Sequence, residues 1–209
     1  MGGGLVCVPC GFGKCLGYNT KILMYSNKIK YVQDIQVGDK LIGDDNRERN
    51  VLSICSGTEM LYKIHTPTGD NYIVNESHIL KFIINNNICD IPLKDAYNLS
   101  QYNIKLYGYQ VILTFNNNIE CSHSELEDYV LNSLEGNIID QYKYNSIENR
   151  TILVNLYIKH FFYLNIKCKL LINDIIFICR SIGKYPIIQN NELIFVTNNL
   201  LQITKLEIG

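Results

Sequence analysis

Apolar and polar positions alternate in short bursts along the first half of the chain. Residues 21–25, 29–32 and 40–42 are β-type runs, separated by the turn-favouring pairs Ser26-Asn27 and Gly38-Asp39. The alternation continues through NVLSICSG, MLYKIHT and NYIVNESHILKFI, which predicts half-buried strands. As far as about residue 92 this is the texture of an all-β unit. Beyond it the period lengthens. SELEDYVLNSL and IENRTILVNLYIKHFFY carry apolar residues at helical spacing, and Glu125, Glu127 and Asp128 sit in the first turn of the former, where the helix dipole favours negative charge. LLINDIIFICRSIG predicts a third helix, closed by Gly183. ELIFVTNNLLQITKLEIG returns to strand texture, so the order is β, α-rich, β, as expected of an insertion into a β domain.

Composition changes the picture in four ways. The 209 residues are 47% hydrophobic and 19% charged with net charge −1, which describes a soluble globular chain without the electrostatic footprint of a dedicated nucleic-acid binder. The apolar runs at 170–172 and 175–179 are broken by Asn173 and Asp174, so no span long enough for a bilayer is expected. The start MGGGLVCVPCGFGK lacks a basic n-region before an apolar core, so no secretory signal is expected and the eight irregularly spaced cysteines read as reduced thiols. Lys outnumbers Arg 15 to 4, and Asn, Ile and Tyr are abundant while Trp is absent, the amino acids of AT-rich codons. That bias marks a genome type and lowers the value of every Asn-rich stretch as a signal.

The sharpest chemical signal is Cys15 together with three blocks spread over about 65 residues. CLGYNTKIL supplies Cys15, Thr20 and Ile22; VQDIQVGD supplies Val32, Asp34, Ile35, Gly38 and Asp39; YIVNESHIL supplies Asn75, Glu76, Ser77 and His78. In this order the three blocks resemble the N-terminal half of the Hedgehog/intein (Hint) splicing fold. Asn75 stands where the family usually has Thr, and its amide offers both an acceptor and donors. The resemblance implies a mainly β, horseshoe-like Hint domain that performs intein-mediated protein splicing. Cys15 would make an N-to-S acyl shift at the carbonyl of Lys14, with Asn75 polarising the bond and His78 protonating the leaving nitrogen. The chemistry is a single-turnover autocatalytic rearrangement that needs no cofactor and no metal. A peptide is more stable than a thioester, so held geometry, backbone strain at the Lys14–Cys15 bond and a proton donor must all help. Free cysteine titrates near about 8.5, so local activation of the thiol also matters.

Two further resemblances flank this one. LVCVPCGFGK is similar to motif I of superfamily-2 helicases, in which Gly11, Gly13 and Lys14 would cradle phosphate and a hydroxyl would come next to hold magnesium. Cys15 occupies the hydroxyl position, and a thiol is a poor magnesium ligand. The match therefore implies a host P-loop interrupted by the intein and completed after splicing by a downstream Thr or Ser. Cys7 and Cys10 have redox-motif spacing, and a disulfide from either to Cys15 would hold splicing off until reduction. YKYNSIENRTILVNLYIKHFF with NDIIFICRSIG resembles the second motif region of LAGLIDADG homing endonucleases: Asn145, Ser146, Glu148 and Arg150 match the lead-in, Leu153 and Ile158 the helix. Lys159 stands where that family has its metal-binding Asp, Phe161 and Phe162 replace the final Asp-Gly, and Asn155 and Leu156 replace the small pair at which two such helices pack. A lysine there repels the cation that the chemistry requires. The expectation is an α/β insertion resembling half of such an enzyme, degenerate, without DNA cleavage or DNA binding.

The expected organisation is thus a host segment at 1–14, the Hint N-terminal part at 15–92, the endonuclease remnant at 93–192 and a returning Hint strand at 193–209. No His-Asn pair lies near Gly209, so the sequence reads as an N-terminal intein fragment. Splicing would be completed by a C-terminal intein fragment whose downstream host segment begins with Thr or Ser. An intracellular setting is expected, and host motif, intein type and codon bias together resemble large DNA viruses of eukaryotes. The rival readings are a fragment of a P-loop DNA/RNA helicase, tested by nucleotide binding to the unspliced chain, a homing endonuclease with DNA-cleaving activity, and a Hedgehog-like autoprocessing module.

Overall fold

The structure is a computed structural model that describes residues 6–7, 15–43, 45–69, 71–109, 112–115, 117–164, 166–189, 192–196 and 199–206, with 6–7, 161–164 and 192 described by their backbone alone. Two compact units are present, Met1–Tyr109 with Asn199–Gly209, and Gln110–Asn198.

The first unit begins with strands β1 (Val6–Cys7), β2 (Cys15–Leu16), β3 (Lys21–Leu23), β4 (Ile29–Tyr31), β5 (Lys40–Ile42), β6 (Glu48–Asn50), β7 (Leu61–His65), β8 (Tyr72–Asn75), β9 (Ile79–Ile84) and β10 (Asn87–Pro92), followed by helix α1 (Leu93–Gln101) and β11 (Tyr107–Gly108). The second unit holds α2 (His123–Asn132), α3 (Asp140–Lys143), α4 (Ile147–Leu164), α5 (Lys169–Ser181), β12 (Tyr185–Gln189) and β13 (Glu192–Val196). The chain then rejoins the first unit with β14 (Gln202–Lys205).

Every pairing among these strands is antiparallel. The main sheet runs β1-β2-β8-β7-β14, and β9 lies between β10 and β11 in a second sheet. Tyr62, Ile64, Val74, Phe82, Leu106 and Ile203 build one core under them, joined by Leu93 and Ala96 of α1. A smaller cluster of Met24, Ile35 and Val51 supports the β3–β6 hairpins. Turns are made by asparagine: Asn85 and Asn86, both at positive φ (49° and 65°), form the two-residue link between β9 and β10, the backbone that a type I′ hairpin requires. The first unit is mainly β, as expected.

Three local differences from the sequence expectations have physical causes. NVLSICSG does not form a half-buried strand: β6 ends at Asn50, where its pairing with β5 also ends, and Leu52 is 76% exposed. Residues 93–109, expected in the insertion, lie within the first compact unit because Leu93 and Ala96 are buried against its sheets. The strand at Leu193 does not return to the main sheet; it is the second arm of the β12–β13 hairpin, and Leu193 is buried among the helices. The returning strand is β14, whose Ile203 stands opposite Ile64 of β7.

The second unit packs Leu126, Val130, Leu153, Tyr157, Ile175 and Ile178 into its own core. All three predicted helices are present. Ser122 and Glu125 close a capping box on α2, satisfying two of the free donors at its start. Gly183 (φ 79°) comes after α5, as the sequence indicated. Among the described residues no helix is long and apolar enough to cross a membrane.

Candidate active site

Cys15 opens β2, almost fully buried, where Leu16 pairs with Val74 of β8. The next residue sets how close these strands come. Gly17 N–H donates to Ile73 O at 2.7 Å, and a Cβ on Gly17 would sit 2.7 Å from Cβ of Ile73. Only a residue without a side chain allows that approach. Thr20 then closes the turn, its hydroxyl donating to Gly17 O at 2.6 Å. Thr20 of the first block is therefore a turn residue in this geometry.

The second block shapes the hairpins beside the sheet. Val32 and Ile35 are buried, and Gly38 takes φ 89° before Asp39. Asp39 accepts from Lys30 Nζ at 2.8 Å and from Gln36 N–H at 2.8 Å. The Lys30 bond and then the Gln36 amide hold its carboxyl below the usual carboxylate range.

The third block meets Cys15 directly. Asn75 ends β8, fully buried, and its Oδ1 accepts the backbone N–H of Cys15 at 3.1 Å. This is the nitrogen of the bond between residues 14 and 15. On the other side of the same amide, Nδ2 donates to Glu59 Oε2 and to Ser77 Oγ, each at 2.7 Å. His78 is 8% exposed in the turn that links β8 to β9, with its N–H donating to Asn75 O at 3.2 Å and its carbonyl accepting from Leu93 N–H at 2.9 Å. The structure thus joins Asn75 to Cys15 and sets His78 on the turn that begins at Asn75. Lys14, Gly11 and Gly13 lie outside the described residues.

One expectation fails at Cys15. Reduced thiols were expected throughout, and Cys55, Cys89, Cys121, Cys168 and Cys179 are free, but Cys15 is disulfide-bonded. Its sulfur carries no titratable thiol in this state. The side chain of Cys7 and the whole of Cys10 lie outside the described residues.

Sequence reasoning missed Glu59 altogether. It sits in an exposed, irregular stretch with no period to single it out. Ser77 was visible in the third block but carried no assigned role.

In the second unit the residues matched to the endonuclease lead-in brace the start of α4. Arg150 is fully buried, donating to Asn145 O at 2.9 Å, to Leu113 O at 2.6 Å and to Ser181 Oγ. Asn145 Nδ2 donates to Ile119 O at 3.0 Å, and Ser146 Oγ accepts from Asn149 N–H at 3.2 Å. Leu153 is buried, whereas Ile158 is exposed. Lys159 is paired on the surface with Glu127 at 2.7 Å.

A mainly β scaffold with a cysteine nitrogen held by the third block is the arrangement of a Hint domain. The family described as Hom_end-associated Hint matches residues 15–128, more than half of the chain, and the chain belongs to that family. The match supports an intein-like, protein-splicing function, and it begins on Cys15.

Proposed function

We propose that Cys15 opens an intein splicing reaction by an N-to-S acyl shift at the Lys14–Cys15 bond. The sulfur attacks the Lys14 carbonyl carbon through a five-membered ring, the C–N bond breaks, and a thioester links Lys14 to Cys15 Sγ. The thiol gives up its proton, and the departing nitrogen takes one from His78 to leave as an amine.

The observation that carries the proposal is the 3.1 Å bond from Cys15 N–H to Asn75 Oδ1. An acceptor on that N–H fixes the amide plane and turns the nitrogen's developing lone pair to the opposite side, where a proton must arrive. As the nitrogen passes from amide to amine and gathers positive charge, its bond to Oδ1 strengthens, because charge-assisted hydrogen bonds are about twice as strong as neutral ones. An interaction that grows along the reaction lowers the barrier instead of merely binding the ground state.

Residues 1–14 are then the host segment, with Gly11, Gly13 and Lys14 restored to a helicase P-loop once a downstream Thr or Ser is joined to Lys14. The assignment to this chain is the first step alone. Later steps belong to a C-terminal intein segment whose downstream host segment begins with that Thr or Ser. The helical insertion is the remnant of a LAGLIDADG endonuclease, supported by Lys159, which stands in the metal-binding position and ion-pairs with Glu127. A chemistry that needs a free thiol fits a reducing intracellular compartment.

The test is release of residues 1–14. The full chain is reduced with a phosphine, treated with hydroxylamine to cleave any thioester, and monitored by mass spectrometry. Release from the wild type and none from Cys15→Ala is expected, with His78→Ala slower by about a hundredfold or more. An intact wild-type chain after this treatment overturns the reading.

A further inference from the structure

Asn75 is gripped from behind by Glu59, outside the three sequence blocks, and by Ser77 within the third. Its Nδ2 donates to Glu59 Oε2 and Ser77 Oγ, while its Oδ1 takes the Cys15 N–H. An ionised carboxylate only accepts, so Glu59 dictates which end of the amide points toward it and leaves Oδ1 facing Cys15. Flipped the other way, Asn75 would set a donor against a donor at the scissile nitrogen and a carbonyl against a carboxylate behind it. The carboxylate also polarises the chain of bonds from Glu59 through Asn75 to Cys15, making Oδ1 a better acceptor.

We propose that Glu59 is a positioning residue for the acyl shift, acting through Asn75, with the Ser77 hydroxyl as its auxiliary. This rests on the splicing reading above. Glu59 acts on the reacting atoms only through the Asn75 amide. The hydroxylamine assay on the reduced full chain tests it with Glu59→Ala, Glu59→Gln, Asn75→Ala and the Glu59→Ala/Asn75→Ala pair. Glu59→Ala is expected to slow release about tenfold, the loss of one charge-assisted hydrogen bond. Glu59→Gln, which keeps an acceptor without the charge, falls between it and the wild type. The double variant is no slower than Asn75→Ala alone, because nothing remains for Glu59 to orient. Thermal unfolding midpoints of Glu59→Gln and wild type coincide. Wild-type rates in Glu59→Ala, or single effects that multiply in the double variant, overturn the proposal. A wild type that releases nothing overturns the splicing reading itself, and release that slows in Asn75→Ala but not in Glu59→Ala overturns this inference alone.

A separate observation concerns the sulfur. Cys15 is disulfide-bonded and five other cysteines are free, which leaves Cys7 and Cys10 of the eight in the chain. The β1–β2 register sets Cys7 directly across from Cys15. Opposed Cα atoms in an antiparallel pair are about 4.5–5.5 Å apart, within the span of a disulfide. We infer that Cys7 is the partner and that the bond is a redox lock on the proposed reaction. Sulfur held in a disulfide has no thiolate to attack the Lys14 carbonyl. An external dithiol opens the lock by thiol–disulfide exchange: it loses two electrons and two protons, becomes a disulfide itself, and leaves Cys7 and Cys15 as thiols.

Hydroxylamine treatment of oxidised full chain, with and without prior reduction by a phosphine, separates the outcomes. Oxidised wild type is expected to release no peptide until reduced, and Cys7→Ser to release it without any reductant. Equal release from oxidised and reduced wild type removes the lock. Release freed by Cys10→Ser and not by Cys7→Ser overturns the pairing. Failure of the reduced wild type again condemns the splicing reading and not the lock.

Discussion

Asn75 and Gly17 together decide where the nitrogen of Cys15 sits. The first holds it by a hydrogen bond; the second lets β2 approach β8 closely enough for that bond to form. Asn75→Ala should slow peptide release by about tenfold to a hundredfold, the range for a hydrogen bond to a group that becomes charged. Gly17→Ala forces a methyl group against Ile73 and should cost about 1–3 kcal/mol of stability, read by urea unfolding, while also slowing release. Asp39 contributes to acid sensitivity in the hairpins. Its folded carboxyl titrates below the unfolded value of 3.8, held down by Lys30 and then by the Gln36 amide. A depressed carboxylate contributes stability that is fully present above the unfolded pKa and is lost as pH falls through the folded one. Wild type should therefore lose more thermal stability than Asp39→Asn between about pH 4 and about pH 2, measured by circular dichroism melts. Equal losses in the two proteins would refute that assignment.

At the scale of elements, α4 is anchored by a buried charge held by carbonyls and a hydroxyl. Arg150 satisfies Asn145 O, Leu113 O and Ser181 Oγ, and its guanidinium lies 4.7 Å from the centre of the Phe115 ring. Burial pulls its pKa down to about 10, which still leaves it charged at neutral pH. Arg150→Met strands the buried Asn145 carbonyl and the part-buried Leu113 carbonyl at about 1–3 kcal/mol each and should lower the stability of the helical unit by about 3 kcal/mol, read by hydrogen exchange in α4. The helices were legible because each carries enough apolar residues at one period to outweigh local noise. The strands near the three sequence blocks were legible for the same reason. The asparagines were not: discounted as codon bias, they occupy positive φ at Asn19, Asn27, Asn46, Asn85, Asn86 and Asn103 and so make the turns. Few side chains other than glycine tolerate that backbone, and asparagine is one of them. The β12–β13 hairpin was half hidden, since YPIIQ has the apolar content of a strand but only pairing reveals its partner. Of the site, Cys15, Asn75 and His78 were named from the blocks. Glu59 was invisible because its contact with Asn75 spans 16 residues from an irregular segment.

The whole chain is a β unit interrupted once. Tyr107 pairs with Leu200, Gly108 N–H donates to Asn199 O at 2.7 Å, and Leu201 N–H donates to Leu106 O at 2.8 Å. The chain leaves the first unit and rejoins it at adjacent positions. Replacing residues 110–198 with a short Gly-Ser linker should therefore leave the β unit folded and peptide release within about threefold of wild type, since loop closure depends only weakly on loop length. Collapse of the β unit on excision would show that the helices take part in its folding.

That clasp of Tyr107–Gly108 against Asn199–Leu200 works like a wrist through which any cargo can be threaded. Mutations that ruin the passenger leave the carrier's own junction untouched, so selection on one does not police the other. The same junction offers a permissive landing place for a fluorescent or affinity module.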